Sequence, residues 1–233
     1  MTTAPADPRT AIAAAVQDYQ YDADTGRLIE RLFAICDGAM ADALIAAVEP
    51  YRQIPEVAGP VYEHIVQQQP TNARALVILA NAYWLTGRGP QATGDLAERA
   101  IAADPANRGA WHLWALTESD PRDRTTRWQQ IVERFPEDDL ARANLADNAA
   151  ALAGAEKDYD ALDLAIYSYE HLLARADRAD QRDALEQALS RRSRSCAAGR
   201  SRPPDAHCSV SRCLGDSVTC VVPSELPCGP MLP

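Results

Sequence analysis

The chain has 233 residues, 47% of them apolar, with 23 Lys+Arg against 33 Asp+Glu for a net charge of −10. An acidic body repels phosphate backbones, which argues against nucleic acid as a partner, and no run approaches the roughly 18 apolar residues of a membrane span. The charge is uneven: residues 1–189 carry 17 basic and 30 acidic side chains, residues 190–233 six arginines and three acids.

From the amino end, "MTTAPADPRT" shows no basic stretch followed by an apolar one, so the expected location is cytoplasmic. Residues 7–20 read as a helix, with Asp7 as cap and Pro8 in the first turn. Residues 25–36 place Leu28, Leu32, Phe33 and Ile35 on one helical face. Together residues 1–38 are expected to cap a helical array that begins at residue 39, or to form a further degenerate repeat of it. Cys36 is the single cysteine in the first 189 residues and reads as a small core residue of a reduced, cytosolic body.

Then a repeat begins. Pro55 is followed fifteen residues later by Pro70, Pro90 by Pro105, and Pro121 by Pro136. Eight residues before each closing proline stand Tyr62, Ala97 and Trp128; five before, Ile65, Ala100 and Ile131; four before, Val66, Ile101 and Val132. A fourth copy lacks the prolines but keeps Tyr169, Leu172 and Leu173. Copies are spaced by 35, 31 and 41 residues, a period that signals a stacked helical array. Proline suits the first turn of a helix and the position just past its end, so 55–69, 90–104, 121–135 and about 160–174 are predicted as second helices of four hairpins. The first helices are predicted near 39–53, with Met40, Leu44 and Val48 inward and Pro50 disturbing its end, and near 73–86, 108–118 and 138–152. Length differences are expected in the turns within hairpins, including a long one at 152–160. Trp111, Trp114 and Trp128 stand at core-type positions.

"ALVILANAYWLTG" (75–87) followed by "ERAIAADP" (98–105) resembles the tetratricopeptide repeat family, and "RANLADNA" (142–149) echoes its first helix. The resemblance covers residues 39–177. Pro50 and Glu118, which stands where the family prefers tyrosine, mark copies one and three as degenerate. The expected fold is an all-α, right-handed solenoid of about four helical hairpins, flanked by capping helices. One of these is residues 178–192, with Leu185 and Leu189 inward.

Residues 193–233 are rich in cysteine, proline and arginine without a sustained period, and are expected to be a disordered tail. The same composition is what a GC-rich gene yields when its end is read in a shifted frame. Cys196, Cys208, Cys213, Cys220 and Cys228 with His207 contain no C-x2-C pair, so a zinc site is not expected.

Catalytic signatures are weak. Glu63–His64 and Glu170–His171 are adjacent on helices and point apart, with no nucleophile beside them. Neither "DADTG" nor "DYDALD" places glycine at the sixth or glutamate at the twelfth position of a calcium loop. No enzyme activity and no cofactor is expected. The resemblance implies a binding groove lined by first helices. The matching face carries Arg74, Val77, Asn81 and Trp84, then His112 and Leu116, then Asn144 and Asp147. An ordinary solvated face is the competing reading. The paired lysines of the family's carboxylate-gripping version are missing. The expected function is a scaffold that holds a peptide or helix from another protein, with a basic partner favoured by the acidic body. A docking subunit of an enzyme complex and a self-associating repeat module are the alternatives.

Overall fold

A computed structural model describes residues 7–199, with side chains as far as Ser190. The described residues form eleven α-helices and no strand: α1 (Pro8–Asp22), α2 (Thr25–Cys36), α3 (Ala41–Val48), α4 (Pro55–Gln68), α5 (Ala73–Leu85), α6 (Pro90–Ala103), α7 (Arg108–Leu116), α8 (Pro121–Arg134), α9 (Asp139–Glu156), α10 (Tyr159–Arg175) and α11 (Ala179–Gly199). The all-α expectation therefore holds. The tail from 200 onward, with Cys208, Cys213, Cys220 and Cys228, lies outside the described residues.

The helix starts follow from their caps. Pro55, Pro90 and Pro121 each open a helix, where a missing N–H costs nothing. A second periodic device sits two residues past each closing proline. Asn72, Asn107 and Asp138 are N-caps whose side-chain oxygens accept from Ala75 N (3.0 Å), Ala110 N (3.3 Å) and Ala141 N (3.1 Å). A third sits six residues past the turn carbonyl. Trp111 Nε1 donates to Pro105 O at 3.0 Å, Arg142 Nη2 to Pro136 O at 3.1 Å, and Arg182 Nη2 to Ala176 O at 2.6 Å. These bonds supply partners to carbonyls of the turns that follow α6, α8 and α10.

The chain divides into two compact units, Met1–Thr117 and Glu118–Pro233. In the first, α1 packs on α2 and α3, α2 and α3 pack on α4, and α4 to α7 follow as a ladder in which α5 also touches α7. Leu28, Leu32, Leu44, Val57, Tyr62, Ile65, Leu76, Leu79 and Leu113 form its core. In the second, α8 packs on α9, α9 on α10, and α10 on α11. Ala146, Ala149, Ala165 and Tyr169 are buried there, with Leu185 and Leu189 of α11 half-buried against them. Tyr62, Ala97, Trp128 and Tyr169 share one register position and all are buried.

Several local expectations are corrected. Met40 is 73% exposed, because it is the extended N-cap residue of α3 and not its first inward position. Pro50 ends α3 early, and Glu49–Tyr51 tighten into a 3-10 turn. Phe33 is exposed and lies against the His64 ring, with centroids 5.6 Å apart. Trp111 and Trp114 are half-buried and pack edge to face, at 5.5 Å and 88°. The long turn expected at 152–160 is mostly helix. α9 continues through residues 153–156 despite Gly154, and Lys157 alone takes a left-handed conformation, φ 54°, before Asp158 caps α10. Similarly, α11 runs past the expected end at 192 to Gly199, since the first proline beyond it is Pro203.

Candidate interaction surfaces

The predicted groove residues fall into two sets, one in each unit. On α5, Val77, Asn81 and Trp84 recur at intervals of four and three, so they share a helix face. Val77 is half-buried because α7 comes close: a Cβ on Gly109 would stand 3.3 Å from Val77 Cγ1. Asn81 is half-buried, and its amide makes no hydrogen bond among the described residues. Trp84 is 41% exposed and Leu85 beside it is also exposed. Arg74 is committed elsewhere, donating from Nη2 to Glu49 Oε1 at 2.8 Å.

On α7 the reading needs a correction. His112 is only 7% exposed. It lies one turn beyond Gly109, the glycine that stands close to Val77 of α5. Leu116, at the helix end, is half-buried. In the second unit, Asn144 spends its amide on Leu140 O at 2.9 Å, and Asp147 accepts from the Tyr169 hydroxyl of α10. Those two side chains therefore act first as internal ties. Arg124 Nε donates to Asn148 Oδ1 at 2.9 Å, adding a tie between α8 and α9.

The glutamate–histidine pairs do not assemble an acid–base site. Glu63 accepts from Tyr83 Oη at 2.9 Å and lies 3.8 Å from Arg88, while His64 Nδ1 stands 3.4 Å from Pro60 O. His171 packs near the Tyr167 ring. Cys36 is buried, and desolvation pushes its thiol up to about 11, the behaviour of a structural cysteine. No group of three His, Cys, Asp or Glu suited to a metal exists among the described residues, and no described helix is long and apolar enough to cross a membrane.

A cleft of about 250 Å³ opens in the second unit, lined by Gln129, Val132 and Glu133 of α8, Arg142 and Leu145 of α9, and Leu164, Tyr167 and Ser168 of α10. Sequence reasoning missed it, although a signal was present. Leu76, Trp111 and Arg142 are related by the same 35- and 31-residue steps as the rest of the repeat. Arg142 thus occupies a register position that is apolar or aromatic in the two preceding copies, and it is 6% exposed.

No family model and no curated protein matches the chain. Among solved structures, it is similar to the crystal structure of MamA protein, at 17% identity and a TM-score of 0.51, over 74% of this chain and 97% of that one. It also aligns with TTC0263, a thermophilic TPR protein in Thermus thermophilus, at 15% identity and a TM-score of 0.49, over 78% and 99%. At 17% identity the likeness to MamA is one of fold alone, and with the repeat and the helix pairing described above that fold is a tetratricopeptide-like array of helices.

Proposed function

We propose that this tetratricopeptide-like chain is a non-enzymatic protein-interaction scaffold, and that α5 with the end of α7 presents a surface to a partner peptide or helix. The observation that carries the reading is the α5 face. Trp84 stands 41% exposed there, one turn from an asparagine amide with no partner of its own. An exposed tryptophan beside an unspent amide supplies both the apolar anchor and the polar reader of an interface. Val77, Leu116 and the Arg74–Glu49 pair belong to the same predicted face, and His112 is buried. Asn144 and Asp147 would serve the corresponding α9 face of the second unit, in a lesser role because each already has an internal partner. The net charge of −10 favours a basic partner. A cytoplasmic site of action and the absence of nucleic acid or membrane from the partner set belong to the same proposal.

The test uses the full chain as bait, followed by direct affinity measurement on the recovered partner. Trp84→Ala should weaken binding by about 2 kcal/mol, with Asn81→Ala weaker in effect and neither unfolding the protein. Affinity should also fall as salt is raised. A partner indifferent to both substitutions overturns the assigned face. An enzyme subunit as the recovered partner turns the scaffold into a docking subunit, and a self-complex seen by light scattering turns it into a self-associating module.

A further inference from the structure

We infer that the α8–α9–α10 cleft of the second unit is a receptor for one glutamate side chain of a partner polypeptide, with Arg142 gripping its carboxylate. This goes beyond the α5 surface and uses none of its residues. The starting point is the register. Trp111 has a single N–H and spends it on the turn carbonyl of Pro105; Arg142 makes the equivalent bond to Pro136 O. A guanidinium has five N–H donors, so that bond leaves most of them over. Arg142 Nε is buried without an acceptor, and the side chain is 6% exposed. A buried, incompletely paired cation is costly, and such a group calls for an explanation other than the turn.

Of the other polar groups lining the cleft, Ser168 and Gln129 are already engaged, and Glu133 accepts from Gln129 while keeping its own charge. Ser168 Oγ donates to Leu164 O at 2.8 Å, and Gln129 Nε2 donates to Glu133 Oε1 at 3.1 Å. No ion pair joins Glu133 to Arg142 among the described residues. What remains is an apolar wall of Val132, Leu145 and Leu164, an exposed Tyr167 at the mouth, and a guanidinium with donors to give.

The occupant follows from that shape and charge. About 250 Å³ lies below the range of roughly 300–1,000 Å³ usual for small-molecule pockets, and it suits one side chain. An apolar wall around a cation is complemented by a methylene stem ending in a carboxylate, and a guanidinium–carboxylate pair can bond through two parallel N–H groups. Glutamate has one more methylene than aspartate to lay along Val132 and Leu145. Residues 118–189 hold 17 acids and nine bases, so the segment around that glutamate must be basic to approach.

The experiment measures fluorescence anisotropy of a labelled, end-capped peptide, Arg-Ser-Leu-Glu-Leu-Ser-Arg, with the full chain. The glutamate peptide should bind, its glutamine analogue about tenfold more weakly, and its aspartate analogue in between. Arg142→Leu should weaken the glutamate peptide to the level of the glutamine one, and Trp84→Ala should leave both unchanged. Leucine is the residue at the equivalent position 76, so the variant is expected to fold; should it not, the peptide series on the unaltered chain decides alone. Equal binding of the glutamate and glutamine peptides overturns the inference, as does affinity that survives Arg142→Leu. Preference for a peptide whose only carboxylate is its free carboxyl end assigns the cleft to chain termini and overturns it as well.

Discussion

Trp128 offers the sharpest test of the register on which the fold rests. It is 1% exposed, on α8 between the buried Thr125 and Ile131, at the position occupied by Tyr62 in the first unit and Tyr169 later in the second. A tryptophan buries on the order of 200 Å² of surface, which at about 25 cal/mol per Å² is roughly 5 kcal/mol of transfer free energy. Collapse of neighbours into the space recovers part of that, and Trp→Ala changes in cores typically cost about 3–5 kcal/mol. The whole stability of a domain is about 5–15 kcal/mol, so Trp128→Ala removes a large share of it. The assay is urea unfolding followed by far-ultraviolet circular dichroism, with Trp84→Ala as control. Because Trp84 keeps 41% of its surface exposed, the same area accounting gives its truncation about three-fifths of that cost. A midpoint for Trp128→Ala equal to that of the parent, or a smaller loss than for Trp84→Ala, would refute the assigned register.

Other outcomes follow from single contacts. Asn72→Ala, Asn107→Ala and Asp138→Ala each delete a cap bond and should each cost about 1 kcal/mol, seen as comparable drops in denaturation midpoint. Tyr169→Phe keeps the buried ring and loses the bond to Asp147, so its cost should be about 1.5–3 kcal/mol, below that of Tyr169→Ala; equal costs would mean the hydroxyl carries the whole contribution. The Cys36 thiol, raised to about 11, should stay unmodified by a thiol reagent at pH 8 in the folded chain and react on unfolding, as read by peptide mapping. Since its folded value lies above the ordinary thiol value of 9.0, its contribution to stability is complete below pH 9 and declines between pH 9 and 11. A chain ended after Gly199 should melt with the full chain, because the apolar contacts of α11 come from Leu185, Ala188 and Leu189; a markedly lower melting temperature would contradict that.

How much of this was legible depended on whether a feature repeats. Proline spacing located α4, α6 and α8 to within a residue, because a ring that fixes φ and removes a donor has few places in a helix. Tyr62, Trp128 and Tyr169 were recognisable as core for the same reason. The exposure of Met40 and the burial of His112 were not legible. The first depends on the cap conformation at the start of α3, and the second on how α7 is packed in the fold. The boundary between the units was equally silent in the pattern. It falls inside the third hairpin, where the repeat marks no change. The Arg142 cleft was half legible: the register departure can be read from the residues, but the burial of its guanidinium can be known only from the packing of α8 and α10.

The bond from position 111, 142 or 182 back to a turn carbonyl has an implication for how such a chain drifts. The first two positions hold tryptophan and arginine, and the third arginine again, side chains with little in common except an N–H at a suitable reach. At these three positions a comparison that scores residue types sees divergence, whereas one that scores donor capacity sees agreement. Leu76, at the equivalent position of α5, carries no donor, so the joint is optional in the array. Where it is kept, copies can lose visible kinship while holding the same joint, because there the likeness lies in a hydrogen bond and not in residue identity.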